Sequence, residues 1–245
     1  SMADLRGLNP QAPEGFIRQL KANGAAAVGI AHPKCLGRPV MAGCRFDMDL
    51  RDWDAIDYIE VFNTSAGTGK VQEELMGNEK ALELWEEKVL EGHHLAAVTG
   101  KDIHEKPADL PVMITYAAVE EKTLEKTGRA QAVLGAILEG RTIVTKGPLL
   151  TASVTGEKLE IEFDHSSSYL NWKDRWKDVR AVLSVRDNLG KHSEYPADFQ
   201  KGKMCVPADP EASVMVLRLY EESSRSLDSL LAAGVAVWRG KEEEA

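Results

Sequence analysis

Cysteines, long apolar runs and an excess of basic residues are scarce or missing in this chain of 245 residues. Its three cysteines form no Cys-x-x-Cys pair, which argues against a disulfide framework and favours a reducing compartment such as the cytoplasm. No run of about 18 apolar residues occurs, so the sequence predicts no membrane-spanning helix. The net charge is −9 at pH 7, whereas binding to a nucleic-acid backbone needs clustered Lys and Arg. We therefore expect neither a membrane nor a nucleic-acid partner.

Short apolar runs alternate with an amphipathic segment in the first part of the chain. Residues 25–31, 56–62 and 95–99 are compact runs of the kind that form buried parallel strands. Residues 73–91 carry apolar side chains at helical spacing and predict a long helix. Strands that alternate with helices are typical of an α/β layer or barrel, in which sites form at the carboxyl ends of the strands. We predict an α/β domain over residues 1–148.

The pattern changes after residue 148 to stretches in which apolar residues occupy every second position. Turn-forming Gly, Asn, Asp and Pro separate these stretches, which is typical of antiparallel strands. We predict a small β-rich C-terminal domain over residues 149–245. Within it, residues 227–234 are interpreted as a short helix that precedes a last strand at 235–238.

Side chains suited to metal chemistry follow two of the predicted parallel strands. His32 follows the first strand, and Asp102 and His104 follow the strand at 95–99. A carboxylate and an imidazole two residues apart in an extended segment can bind one ion, and a bound ion activates water for hydrolysis. The alternative is structural: His32 makes one hydrogen bond at a strand end, and Asp102 caps a turn.

In order along the chain, five segments resemble the second half of a PHP (polymerase and histidinol phosphatase) superfamily hydrolase, in particular the branch of carbaryl-hydrolase-like proteins. The segments are GAAAVGIAHP at 24–33, IEVFN at 59–63, the helix with Trp85 that leads to LEG at 90–92, AVTGKDIH at 97–104 and GRTIVTKGP at 140–148. The match covers residues 14–150. It implies part of a distorted β/α barrel, followed by the β-rich C-terminal domain of that branch.

The resemblance implies that His32, Asp102 and His104 are metal ligands, and that Asp102 also orients the attacking water. The implied cofactor is a divalent ion, Zn, Mn or Fe, in a number that the resemblance leaves open. The implied activity is hydrolysis of a small-molecule phosphoester or a related ester or carbamate.

Four other residues at the same strand ends are candidates for binding or orienting the substrate. Lys34 and Lys101 can attract an anion, and Lys101 replaces a serine that is common in the family. Glu60 and Asn63 can orient a metal ligand or the substrate through hydrogen bonds, without binding the metal themselves. The alternatives are that Lys34 is a solvated loop residue, that Glu60 pairs with a surface cation and that Asn63 forms a turn.

The His-x-His segment with which the family begins has no counterpart before His32. The sequence therefore predicts half of a metal site, either in a piece of a longer protein or in a diverged form without the early strands. Loss of those strands exposes a parallel strand edge, so we expect a homo-oligomer. The competing interpretation of function is a non-catalytic remnant that serves as a structural or interaction module.

Overall fold

Three separate sheets carry the strands of the described chain, and none of them closes into a barrel. The computed structural model describes residues 5–40, 45–63, 74–101, 113–164, 166–176, 178–198 and 201–240. Over these residues the fold is mixed α/β, which confirms the predicted class. No helix in these ranges is long and apolar enough to cross a membrane.

A small parallel sheet forms the first layer, with strand order β1-β2-β3. Its strands are β1 (Gly29–Ile30), β2 (Tyr58–Asn63) and β3 (Ala96–Gly100). Two helices accompany it, α1 (Glu14–Ala22) and α2 (Asn78–Leu90). The buried Trp85 of α2 donates an indole N–H to the carbonyl of Leu95, 2.9 Å away, and thereby fixes the helix to the start of β3.

The central layer is a six-stranded antiparallel sheet with strand order β4-β5-β12-β11-β8-β9. Its strands are β4 (Ile114–Ala117), β5 (Thr142–Thr145), β8 (Ala181–Asp187), β9 (His192–Ala197), β11 (Val214–Glu221) and β12 (Leu230–Trp238). Helices α3 (Glu121–Thr127) and α4 (Arg129–Leu138) connect β4 to β5. The helix predicted at 227–234 is wrong, because residues 227–229 form a turn and the apolar residues from Leu230 onwards pair with β11 and β5 inside the sheet.

A second antiparallel sheet, with strand order β10-β7-β6, forms the third layer. It consists of β6 (Leu149–Thr155), β7 (Lys158–Asp164) and β10 (Lys203–Pro207), and a short helix α5 (Trp172–Arg175) follows β7. Side chains of β7 alternate between buried and exposed, as expected for a sheet with one face on the core. The predicted β-rich character of the segment after residue 148 is present in this layer.

The central sheet is packed on both faces. Along β11, Met215 and Leu217 belong to the core shared with the β6-β7-β10 sheet, whereas Val214 and Val216 belong to the core shared with α2 and the parallel sheet. Because β4 and β5 precede residue 148 and pair with strands that follow it, the two predicted domains contribute to one sheet. The division at residue 148 itself stays a prediction.

Among the described residues, no strand other than β2 pairs with β3, and threonine hydroxyls accept hydrogen bonds from two backbone N–H groups on its other side. The backbone N–H of Ala97 donates to Thr142 Oγ1 over 3.2 Å, and that of Thr99 donates to Thr115 Oγ1 over 2.8 Å. Edge strands need such cover because they expose unpaired backbone groups. The parallel sheet therefore ends at β3, where it meets the central sheet, and β1 forms its other edge.

A fully buried carboxylate, Glu86 of α2, joins the helix to the central sheet. It accepts hydrogen bonds from Arg218 Nε and Nη2, the latter over 2.7 Å, and from Arg186 Nη1 over 2.9 Å. Burial alone lowers the pKa of Arg218, but the hydrogen bonds and charge of Glu86 outweigh burial and raise that pKa. The two arginines thus compensate a charge that would be costly to bury alone.

Replacing Arg218 by Met should therefore destabilise the protein by about 3–5 kcal/mol, because Glu86 stays buried without its main partner. Replacing the half-exposed Arg186 by Met should cost less than about 1 kcal/mol. Adding Glu86→Leu to Arg218→Met should restore much of the loss, as a double-mutant cycle of unfolding free energies in urea will measure. Additive effects of the two substitutions would contradict the coupling.

The carboxylate of Glu14, at the start of α1, attaches residues 45–52 to that helix. Its Oε1 accepts the backbone N–H groups of Arg51, over 2.7 Å, and of Asp52, over 3.3 Å. The Arg51 hydrogen bond is the main reason why the pKa of Glu14 lies below its ordinary value. The backbone N–H of Asp49 donates to the carbonyl of Pro10 over 2.8 Å and adds a second attachment.

Acid should loosen this attachment in a defined pH range. Because the folded pKa of Glu14 is lowered, the contact is complete above pH 4.5, its ordinary pKa, and is lost as the pH falls through the lower folded pKa. The amide NMR shift of Arg51 should titrate with a midpoint below 4.5, and Glu14→Gln should abolish that titration. If the amide shift of Arg51 titrates in the same way in Glu14→Gln, the titration belongs to a carboxyl group other than Glu14.

Candidate functional site

His32 lies two residues beyond the end of β1, as the sequence predicted. Its φ is 32°, a positive value that is uncommon for residues other than glycine. The backbone N–H of His32 donates to Glu60 Oε2 over 2.7 Å, and the backbone carbonyl accepts the N–H of Cys35 over 3.1 Å. Both backbone groups of the histidine are thus held, and its side chain is partly buried.

Glu60 provides the contact that joins β1 to β2. Its side chain is buried, with 8% of the residue's surface exposed. In addition to the His32 N–H on Oε2, the side-chain amide of Asn63 donates to Oε1 over 3.0 Å. Each carboxyl oxygen therefore accepts a hydrogen bond from a residue at a strand end.

Gly100, the last residue of β3, packs directly against this carboxyl group. A Cβ atom at position 100 would overlap Glu60 Oε1, so a larger residue would force either Glu60 or β3 to shift. The register of the sheet places Gly100 beside Asn63. The carboxyl ends of β1, β2 and β3 therefore meet around one side chain, which is the edge at which α/β proteins build their sites.

Asn63 and Asn78 join the end of β2 to the start of α2. The backbone N–H of Asn63 donates to Asn78 Oδ1 over 2.9 Å, and Asn78 Nδ2 donates to the carbonyl of Asn63 over 3.1 Å. Both residues are buried. The sequence analysis missed Asn78; its signal is an Asn directly after Gly77, which has a φ of 61° and precedes the helix.

The remaining candidates fall into two groups. Lys34 and Lys101 are exposed and follow β1 and β3, so they place positive charge next to the strand ends. Asp102 and His104 lie outside the described residues. The structure thus brings together His32, Glu60, Asn63 and the residue that precedes Lys101. Over the described part of the chain, no group of three or more His, Cys, Asp or Glu side chains is arranged to hold a metal ion.

Substitution of Gly100 tests whether the three strand ends depend on this close contact. Gly100→Ala should destabilise the protein by about 1–3 kcal/mol, because either Glu60 or β3 must move. Gly135→Ala is the matched control, since a Cβ there meets no atom within 4 Å and α4 gains about 0.5–1 kcal/mol of helix propensity. Urea unfolding of both variants gives the comparison; equal stability of the two variants would contradict the close packing.

Comparisons of the chain with protein-family models, with curated proteins and with solved structures find no match. The geometry around Glu60 and the sequence pattern are therefore the features that bear on function. This geometry offers an imidazole with a fixed backbone, a buried carboxyl group and two nearby cations at one edge of a parallel sheet. Such a set of groups can bind an anion or support a metal ligand.

Proposed function

We propose that the protein is a metal-dependent hydrolase of the PHP type that acts on a phosphoester or a related ester. One observation carries the proposal: the ends of β1, β2 and β3 meet at Glu60, so that His32 and the residue preceding Lys101-Asp102-Ile103-His104 share one neighbour. The proposal includes the fold of this family: strands β1–β3 would be part of a distorted β/α barrel, and residues 149–245 would form the C-terminal domain that follows the barrel.

The types of side chain fit a divalent ion. Imidazole nitrogens and a carboxylate oxygen suit Zn, Mn or Fe, and His32, Asp102 and His104 would hold it. A bound ion of this kind lowers the pKa of water enough to supply a nucleophile near neutral pH. Asp102 would orient that water, and Lys34 and Lys101 would attract an anionic ester.

Glu60 and Asn63 have a supporting role in this proposal. Their hydrogen bonds hold the backbone at the ends of β1 and β2, and the imidazole of His32 is positioned by that backbone. Groups behind the metal ligands commonly determine metal affinity by this kind of orientation. The edge of β1 remains the proposed surface for a homo-oligomer.

A second candidate is a non-catalytic structural or interaction module. The observation that favours it is the use of Glu60: both of its oxygens accept hydrogen bonds within the protein and link strand ends. A buried carboxyl group used in this way stabilises a fold without any reaction. The two candidates differ in whether His32 binds an ion.

Metal binding and hydrolysis should distinguish the two candidates. Protein prepared without chelator should contain at least about one ion per chain and hydrolyse a phosphomonoester with added Mn or Zn. His32→Ala and Asp102→Asn should each lower metal affinity and kcat/KM by about a hundredfold or more. His93→Ala is the matched control. His93 lies before β3, at the end of the sheet where the parallel strands begin, and pairs with Asp54.

The contrary result is equally specific. Substoichiometric metal together with no turnover above the chelated sample would support the structural module. Loss of activity in His93→Ala to the same extent as in His32→Ala would show that the effect is not local to the strand ends. Sedimentation of the unmodified protein at micromolar concentration would test the homo-oligomer, which a monomer contradicts.

A further inference from the structure

A cleft of about 330 Å³ lies beside His32, between α1, β1 and the start of the segment at residues 45–52. Its lining is mainly apolar, with contributions from Phe16, Ile17, Ile30 and Phe46. Clefts of 300–1,000 Å³ with apolar walls and a few polar groups are typical sites for small organic ligands. This cleft is at the small end of that range, which suits a single ring with a short chain.

The walls of the cleft belong in part to the structural core. Ile17, Ile30 and Ile56 line it and also belong to the buried cluster around β2 and α2. On the other side, the hydrogen bonds of Glu14 to the backbone of Arg51 and Asp52 hold the segment at 45–52 against α1. Its walls are therefore fixed before any ligand binds, which reduces the entropy lost on binding.

Among the residues that line the cleft, Arg45 and His32 carry the ionisable side chains. Arg45 forms an ion pair with Asp47 over 3.0 Å, but 55% and 72% of the two side chains are exposed. Exposed ion pairs are weak, so Arg45 can exchange Asp47 for an anionic ligand at little cost. The cleft thus combines an apolar interior with a cation, in a protein whose net charge is −9.

We propose that this cleft binds the apolar part of a small organic anion, with the anionic group directed to Arg45 and His32. The identity of this anion rests on the proposed function: it is the substrate of that hydrolysis, a phosphomonoester of an apolar alcohol. The fit of the apolar alcohol group in the cleft then determines which substrate binds. His32 lies at the end of the cleft where the phosphoester group would be. Binding of the anion itself does not depend on hydrolysis.

Binding is tested first, on chelated protein, with 4-phenylbutyrate as the probe. Its roughly 12 non-hydrogen atoms, at about 0.3 kcal/mol of binding free energy per atom, give a Kd of about 2 mM, which ligand-observed NMR can measure. Butyrate, which lacks the ring, and 4-phenylbutanol, which lacks the charge, should each bind at least about tenfold more weakly. Equal binding of 4-phenylbutanol would overturn the role of Arg45, and no binding of 4-phenylbutyrate would overturn the site.

Two variants locate the binding. Ala31 is exposed at the cleft, so Ala31→Trp should fill the opening and weaken 4-phenylbutyrate binding by at least about tenfold. Arg45→Gln should weaken 4-phenylbutyrate binding severalfold and leave 4-phenylbutanol unchanged. Ala130→Trp on the exposed surface of α4 is the matched control and should bind like the original protein. Unaltered binding by both Ala31→Trp and Arg45→Gln would place the ligand elsewhere.

Hydrolysis is tested separately, with added Mn or Zn. The kcat/KM for 4-phenylbutyl phosphate should exceed that for glycerol 2-phosphate by at least about tenfold, and Ala31→Trp should remove this preference. Equal rates for the two esters would overturn the assignment of the cleft to the substrate. Hydrolysis of neither ester, with 4-phenylbutyrate binding intact, would overturn the proposed function and its substrate but leave the cleft as a ligand site.

Discussion

The buried carboxyl group of Glu60 determines how the ends of three parallel strands come together. It accepts the backbone N–H of His32 beyond β1, it accepts the side-chain amide of Asn63 at the end of β2, and Gly100 of β3 packs against it. A buried acceptor without a donor costs about 1–3 kcal/mol, so the contacts around Glu60 favour one arrangement of the strand ends. The geometry of any site at the carboxyl ends of these strands therefore depends on Glu60.

The layers behind the parallel sheet explain why a sheet with only three described strands is stable. Parallel strands are usually covered by neighbouring layers. Trp85 and Glu86 attach α2 to the start of β3 and to the central sheet, and two threonines of the central sheet accept hydrogen bonds from β3. The Glu86 ion pairs add little net stability compared with apolar packing, but they exclude a shifted position of α2, because such a shift would leave a buried charge unpaired. The start of α2 is fixed to β2 by the buried amide of Asn78, which would lose its hydrogen bonds to the backbone of Asn63 if the helix shifted.

Local pattern was sufficient for much of this fold. The apolar runs predict β2 and β3 within two residues, and the helical spacing predicts α2. The run at 25–31 is a strand over Gly29–Ile30 alone, because β1 is an edge strand with one partner. The segment at 230–238 was misread as partly helical because pairing with β11 and β5 outweighs its helix propensity. The roles of Asn78 and Gly100 depend on contacts with residues 15 and 40 positions away, which no local pattern contains.

The structural role of Glu60 and the proposed metal-binding role of His32 are compatible, because Glu60 accepts a hydrogen bond from the backbone N–H of the histidine. Glu60 holds His32 at a positive φ, a conformation that costs free energy for a residue with a side chain. Glycine would avoid that cost and keep the same backbone hydrogen bond. The contacts of the imidazole, which borders the apolar cleft, therefore have to offset that cost, whether they lie within the protein or, as proposed, with a bound ion.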